Sequence, residues 1–369
     1  MALGALVYFI GSNVYLWAGS RFNPANVSPL AAATVLLCSF PLGFARTTIL
    51  IYTAFWLVQL GTSFYWPSVI SYVTAGLAGN ELSRRISQFQ RSAMAALMIG
   101  PPIAGFLYSW NSTANFIMVN LSYFSVVLSF FMIMRYFGRE SSTEGDSHYH
   151  VQAVVMEPLV LDEAGKAEEM LQNKNSNLLR YRGWACNLCG AICMGIFANI
   201  IPIHIRDGLG FTETSAGMVQ FFRCGAGFAG FAILGRFTAW HFKGWWFVFI
   251  QGGFTFCSLL FLLAGNHLFF FFFLAILFGL LNSACNATSV FYSSSTGKHH
   301  KRNVAFHEIY LSLGLAIGSA GGGFVYQRLN LPGMALALSL ALSVGVVVFV
   351  IINRRKLSAT TVLAPQDEV

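Results

Sequence analysis

Arg223 stands about ten residues into an apolar run covering 213 to 234, roughly 15 Å deep at 1.5 Å per residue. An arginine at the centre of a membrane helix costs on the order of 2.5 to 3.5 kcal/mol, so its side chain must meet a cavity or a partner. Two chemistries fit. In one, Arg223 attracts the anionic group of a substrate, with Gln220 one turn away as a hydrogen-bonding neighbour. In the other it forms an ion pair with Glu308, the only acidic residue well inside an apolar run, about 9 Å in from the opposite face. A pair made in one conformation and broken in another would satisfy both. A carboxyl group enclosed this way can also exchange a proton, which makes Glu308 a candidate for coupling or for a gate.

Two further runs offer polar side chains to a pathway. Residues 48 to 76 carry Gln59, Tyr65 and Trp66, and residues 268 to 294 carry Asn282, Ser283 and Asn286. Amides and aromatic rings orient a small polar or amphipathic solute in an apolar cavity. The alternative use of each is hydrogen bonding between helices, and the same holds for Asn187 and Asn199.

The elements that must position these residues follow from composition. Charged residues make up 10% of the 369 and apolar residues 56%, with 36 phenylalanines, against about 25% charged in an average soluble domain. Nearly uncharged runs long enough for a hydrocarbon core of about 30 Å fall at roughly 1 to 18, 28 to 45, 48 to 76, 91 to 109, 114 to 134, 183 to 205, 213 to 234, 245 to 264, 268 to 294, 303 to 326 and 332 to 352. An all-α membrane protein of eleven spans is expected. All seven cysteines lie inside these runs, where they act as small apolar residues; the C-x-x-C at Cys186 and Cys189 has no βαβ context and implies packing. Residues 1 to 18 lack the basic n-region and cleavage site of a signal peptide.

The net charge of +8 reports orientation and not nucleic acid. If the chain starts outside and crosses eleven times, eighteen Lys and Arg fall on the inner side, Arg84, Arg85, Arg91, Lys301 and Arg302 among them, against Arg46, Arg206 and Arg328 outside. That asymmetry places the C-terminus in the cytoplasm of a cell-membrane protein.

A repeat organises the spans. "IGPPIAGFLY" (99 to 108) and "IGSAGGGFVY" (317 to 326) share Ile, Gly, Gly, Phe and Tyr at one spacing, and the same 218-residue offset pairs Gly61 with Gly279 and Arg84 with Arg302. The unit is six helices, so the plan is twelve helices in two parallel, pseudo-symmetric half-bundles, and the chain is expected to lack the first. The halves are 1 to 137 and 181 to 356, joined by a polar linker at 138 to 180 that carries eight of the fourteen acidic residues, with a tail at 357 to 369. Arg21 and Arg236, each just after a glycine at an inner helix end, are candidate gate residues. Small-xxx-small spacing at Gly314, Gly318 and Gly322 marks a close helix contact. Gly225, Gly227 and Gly230 spell G-x-G-x-x-G with no preceding strand, so no nucleotide site is expected. The phenylalanines at 269 to 273 are expected to face lipid, and His299 and His300 to be solvated.

"IPIHIRDGLGFTETSAGMVQFFRCGAGFAGFAILGRF" (201 to 237) and "GTSFYWPSVISYVTAGLAGNELSRRISQFQRSAMAALMIGPPIAGFLY" (61 to 108) resemble the major facilitator superfamily. The first is similar to its seventh-helix exit and glycine-rich eighth helix, the second to its fourth and fifth helices with the basic loop between. The resemblance implies a monomeric secondary transporter working by alternating access on a small solute. It implies no cofactor. The family's inner loop usually carries Asp-Arg four and five residues after its glycine; Asn23 and Pro24 stand there in the first half, Ala239 and Trp240 in the second. The missing carboxylates favour the alternative of a receptor or scaffold that kept the fold. An intramembrane enzyme finds no support, since neither H-E-x-x-H nor G-x-S-x-G occurs.

Overall fold

A computed structural model describes residues 2–18, 22, 24–43, 47–143, 163–265, 267–295 and 299–361. Among the described residues there is no strand. In hydrocarbon no water pairs with backbone N–H and C=O groups, so a crossing chain satisfies them within a helix or a closed barrel. The helices are α1 (Ala2–Ala18), α2 (Pro24–Ser39), α3 (Thr48–Val73), α4 (Gly79–Trp110), α5 (Ser112–Thr143), α6 (Glu163–Ile203), α7 (Glu213–Leu234), α8 (Trp245–Leu260), α9 (Leu268–Ser294) and α10 (His300–Thr361). Six stretches among the described residues are long and apolar enough to cross a bilayer; α1, residues 26–42 and residues 116–129 are apolar but shorter.

α10 contains two limbs. Its helical backbone breaks at Asn330 (φ 56°, ψ −171°), followed by Pro332. Gly314 lies against Leu188 and Ala191 of α6, while a Cβ on Gly345 would sit 4.0 Å from Cys189 of the same helix. Residues 31 apart therefore share one level, which requires the chain to fold back at their midpoint, Asn330. Local chemistry sets other ends. The Thr212 hydroxyl accepts from Ser215 N at 3.2 Å and starts α7. Past Pro202, α6 loosens into a π turn at His204–Gly208, closed by Gly210 at φ 72°.

The core sits among α6 to α10. Phe197 stacks on Phe278 at 4.7 Å, and Phe254 meets the same ring edge-on at 5.3 Å. The phenylalanine run at the start of α9 divides between environments: Phe269 is 85% exposed, but Phe271 is fully buried beside Phe261 and His204. Five consecutive residues sweep more than one full turn, so they cannot all face lipid. The linker is helical from Glu163 onward, continuous with α6; residues 144 to 162 and Arg21 lie outside the described residues.

Contacts between α1–α5 and α6–α10 run along two seams, α1 with α10 and α4 with α7, with smaller ones from α3 to α10 and α4 to α9.

Candidate functional site

Arg223 lies midway along α7 and is 5% exposed. A Cβ on Gly279 would overlap the Arg223 carbonyl oxygen, so α7 and α9 touch backbone to backbone at this level and the guanidinium reaches toward α6. There Nε donates to Gln220 Oε1 at 2.7 Å, Nη1 lies 3.1 Å from Met194 Sδ, and Nη2 lies 3.3 Å from Cys224 Sγ. Gln220 Nε2 in turn donates to Phe197 O at 3.3 Å, tying the pair to α6. Neutral amide and sulfur atoms surround the charge, and among the described residues no carboxylate pairs with it.

Glu308, 3% exposed, is engaged elsewhere. Tyr8 on α1 donates to its Oε2 at 2.8 Å, and His307 Nε2 lies 3.9 Å from Oε1. The other face of His307 is held by Ser289 Oγ at 2.8 Å and by Asn187 of α6 at 3.3 Å. The permanent Arg223–Glu308 pair, one of the two alternatives for Arg223, is thus not formed. Spacing along the chain gave the axial gap but not which helix each side chain would face.

The remaining candidates separate. Ser283 is fully buried, bonds back to Leu280 O at 2.7 Å, and packs against Gly230, so its hydroxyl serves the α7–α9 contact. Asn282 and Asn286 are half-buried, and Asn286 Oδ1 is sealed with no donor among the described residues. Gln59 packs toward Gly4 of α1, while Tyr65 and Trp66 form an edge-on pair at 5.5 Å, with Trp66 against Phe89 of α4. Asn199 bridges to Ser319 at 2.8 Å. Arg236 is exposed.

Among the described residues, the hydrogen bonds that join the first five helices to the rest include several toward the basic end that carries Arg84, Arg85 and Arg302. Ser87 Oγ donates to Phe231 O, Ser83 Oγ to Leu234 O at 3.4 Å, and Lys301 Nζ to Phe22 O at 3.4 Å. His300 is not solvated: its Nδ1 lies 3.0 Å from Ser294 O at the end of α9, and its Nε2 3.1 Å from Ser71 O and 3.0 Å from Thr74 Oγ1 at the end of α3. Toward the opposite end, a Cβ placed on Gly100, Gly217 or Gly321 would meet nothing within 4 Å.

One cation escaped the sequence. Arg91, counted above on the inner side at the first position of the run 91 to 109, sits well inside α4 because that helix starts twelve residues earlier, at Gly79. Its guanidinium carbon lies 4.8 Å over the Phe228 ring of α7, and its Nε is sealed without an acceptor.

The described residues thus form a two-seamed, apolar helical bundle around a buried, uncompensated cation. The chain matches the Major Facilitator Superfamily model over residues 1–288 and belongs to that family. It is a multi-pass integral membrane protein of the transporter class. Its fold is similar to the crystal structure of the human organic anion transporter MFSD10 (TETRAN), with a TM-score of 0.71 and 10% identity, over 94% of this chain and 82% of that one. No curated protein matches it.

Proposed function

We propose that this transporter moves a small organic anion by alternating access, with Arg223 and Gln220 holding the anionic group. The observation that carries this reading is a guanidinium buried at mid-depth among an amide and two sulfur atoms, with no carboxylate partner among the described residues. A buried charge is ordinarily paired, and an arriving carboxylate, sulfonate or phosphate would supply the missing partner with bidentate geometry. The human protein of similar fold is an organic anion transporter, which supports the same chemistry. Gln59, Tyr65, Trp66, Asn282 and Asn286 are the polar and aromatic contacts for the rest of the solute. Glu308, bonded across the α1–α10 seam by Tyr8, acts as a gate residue, as do Arg21 and Arg236.

The basic end and the C-terminus belong in the cytoplasm by the positive-inside rule. The two half-bundles, 1 to 137 and 181 to 356, rock about the site, and with their bonds gathered at the basic end the site is shut toward the cytoplasm. Flux into proteoliposomes tests the reading with radiolabelled benzoate, citrate and 1-naphthalenesulfonate. Arg223→Ala should lower kcat/KM for the anion carried by about a hundredfold, as expected when a charge-assisted contact of about 3 kcal/mol is lost. Equal flux in both forms would refute the anion site. No saturable flux with any probe would refute transport of this class.

A further inference from the structure

We propose that Arg91 is a second anion contact, used when the α4–α7 seam opens toward the basic end; this rests on the reading of Arg223 as the anion site. The residues of α4 that face α7 are Ser83, Ser87, Arg91, Met94 and Met98, spaced by three or four. Ser83 and Ser87 bond to the carbonyls of Leu234 and Phe231, and Met94 and Met98 pack against Gly227 and Gly225. Each of these fills a small space or satisfies a backbone group, as a seam requires. Arg91 does neither. Its charge rests on the Phe228 ring at 4.8 Å, its Nε faces no acceptor, and none of the ion pairs among the described residues includes it.

A cation over a ring recovers only part of what a carboxylate would give. Arg91 thus gives the seam a cation that no acid among the described residues pairs with, while Arg223 lies on the α6 side of α7. Phe228 is five residues from Arg223 along α7, roughly 7.5 Å of helix axis toward the basic end. Arg91 therefore stands at a level that an anion moving from Arg223 toward the basic end must pass. In the conformation seen, Phe228 covers the Arg91 guanidinium. Parting the seam at this end would withdraw the ring and uncover a charged fork directed at the exit route. Arg223 then sets affinity from the far side, and Arg91 sets it from the basic side.

The prediction is an asymmetry, which a merely structural cation–π contact would not produce. Full-length protein in proteoliposomes is sorted by protease access to its tail, and zero-trans uptake of the three probes above is measured from each face. Arg91→Gln should raise KM about tenfold from the basic face, the loss of one charge-assisted contact, and leave KM from the opposite face within about twofold. Phe228→Leu, which removes the ring while retaining bulk, should lower KM from the basic face only. Native values from both faces for Arg91→Gln, or equal losses from both, would overturn the proposal while leaving the Arg223 reading intact. If Arg91→Gln does not yield folded protein, Arg91→Lys decides: it keeps the charge and loses the fork, and should show a smaller increase confined to the basic face. Native-like flux in Arg223→Ala would instead overturn the parent reading, and this one with it.

Discussion

Gly100 and Gly318 occupy the same place in the 218-residue frame but meet opposite surroundings. A Cβ on Gly318 would overlap the backbone of Ile192 in α6, with Gly314 and Gly322 pressed on the same helix a turn to either side. A Cβ on Gly100 would meet nothing within 4 Å. The contrast extends to whole helices: 17% of the most apolar stretch of α3 is buried against 44% of that of α9. Among α6 to α10, helices approach to backbone contact and share stacked phenylalanines, whereas among the first five α3 and α5 present broad apolar faces outward. One sequence motif thus carries two physical meanings. Without a neighbour a small residue is merely tolerated, and against a neighbour it becomes indispensable. The practical consequence is that Arg223 lies in the more closely packed of the two regions.

The largest expected effect breaks that contrast directly. Gly318→Val must part α6 from α10, since the obstacle is backbone and cannot rotate away, and overpacking of this kind costs about 1–3 kcal/mol or more. Detergent-solubilised protein should lose most of its monodisperse fraction and melt several degrees lower. Gly100→Val, facing open space, should stay within about 0.5 kcal/mol of the unaltered chain. Equal destabilisation by both would show that the two regions are packed alike.

Gly61 and Gly279 sharpen the comparison, because both are tight but against different things. A Cβ on Gly61 meets the Val35 side chain at 2.7 Å, which can yield, while one on Gly279 meets the Arg223 carbonyl. Gly279→Ala should therefore cost about 1–2 kcal/mol more than Gly61→Ala, read as a difference in melting temperature. Because it displaces α7 at Arg223, it should also depress anion flux, which Gly61→Ala should not.

Across the seams the effects become smaller. Tyr8→Phe removes the one hydroxyl that reaches Glu308 from the first five helices and leaves a buried carboxyl oxygen without its donor, for a cost of about 1–3 kcal/mol. The loss should appear as a lower melting temperature. Thiol labelling at Ser83→Cys should become faster, because the lost bond ties the halves together along the other seam. An unchanged labelling rate would place Tyr8 outside the gate.

How much of this was legible in the sequence divides along a physical line. Apolar runs and rare charges are one-dimensional signals, so the membrane class and the depth of Arg223 could be read directly, and the family from the resemblance of residues 61 to 108 and 201 to 237; whether Arg223 pairs with Glu308 stayed open. The partner of Glu308 could not, because Tyr8 lies 300 positions away and no periodicity marks it. Ser283 turned to α7, Phe271 turned inward, and His300 joined two helix ends for the same reason: the direction of a side chain is set by which helices become neighbours. Arg91 was missed differently. Charged residues at the start of α4 masked a helix that begins well before its apolar stretch, so hydropathy cut it short and left the arginine at its inner edge.

The smallest expected effect lies outside the spans, where α7 turns into α8. His241 stacks on Phe291 at 4.3 Å and stands beside Trp240, with its Nε2 buried and without a hydrogen-bond partner among the described residues. Burial holds its pKa down at about 4, against about 6.5 for an unfolded chain. Between those values the unfolded chain binds the proton and the folded one does not, so stability rises with pH across this window. The contribution is complete above about pH 6.5 and is lost as pH falls toward 4. His241→Phe keeps the stack and removes the proton site. It should flatten the decline of melting temperature between pH 6.5 and 4 while leaving the value at pH 7.5 nearly unchanged. Because His241 packs on α9, the decline should be reproduced in full by protein carrying Gly100→Val; a decline that depends on that substitution would mean that the acid-sensitive unit reaches into the first five helices.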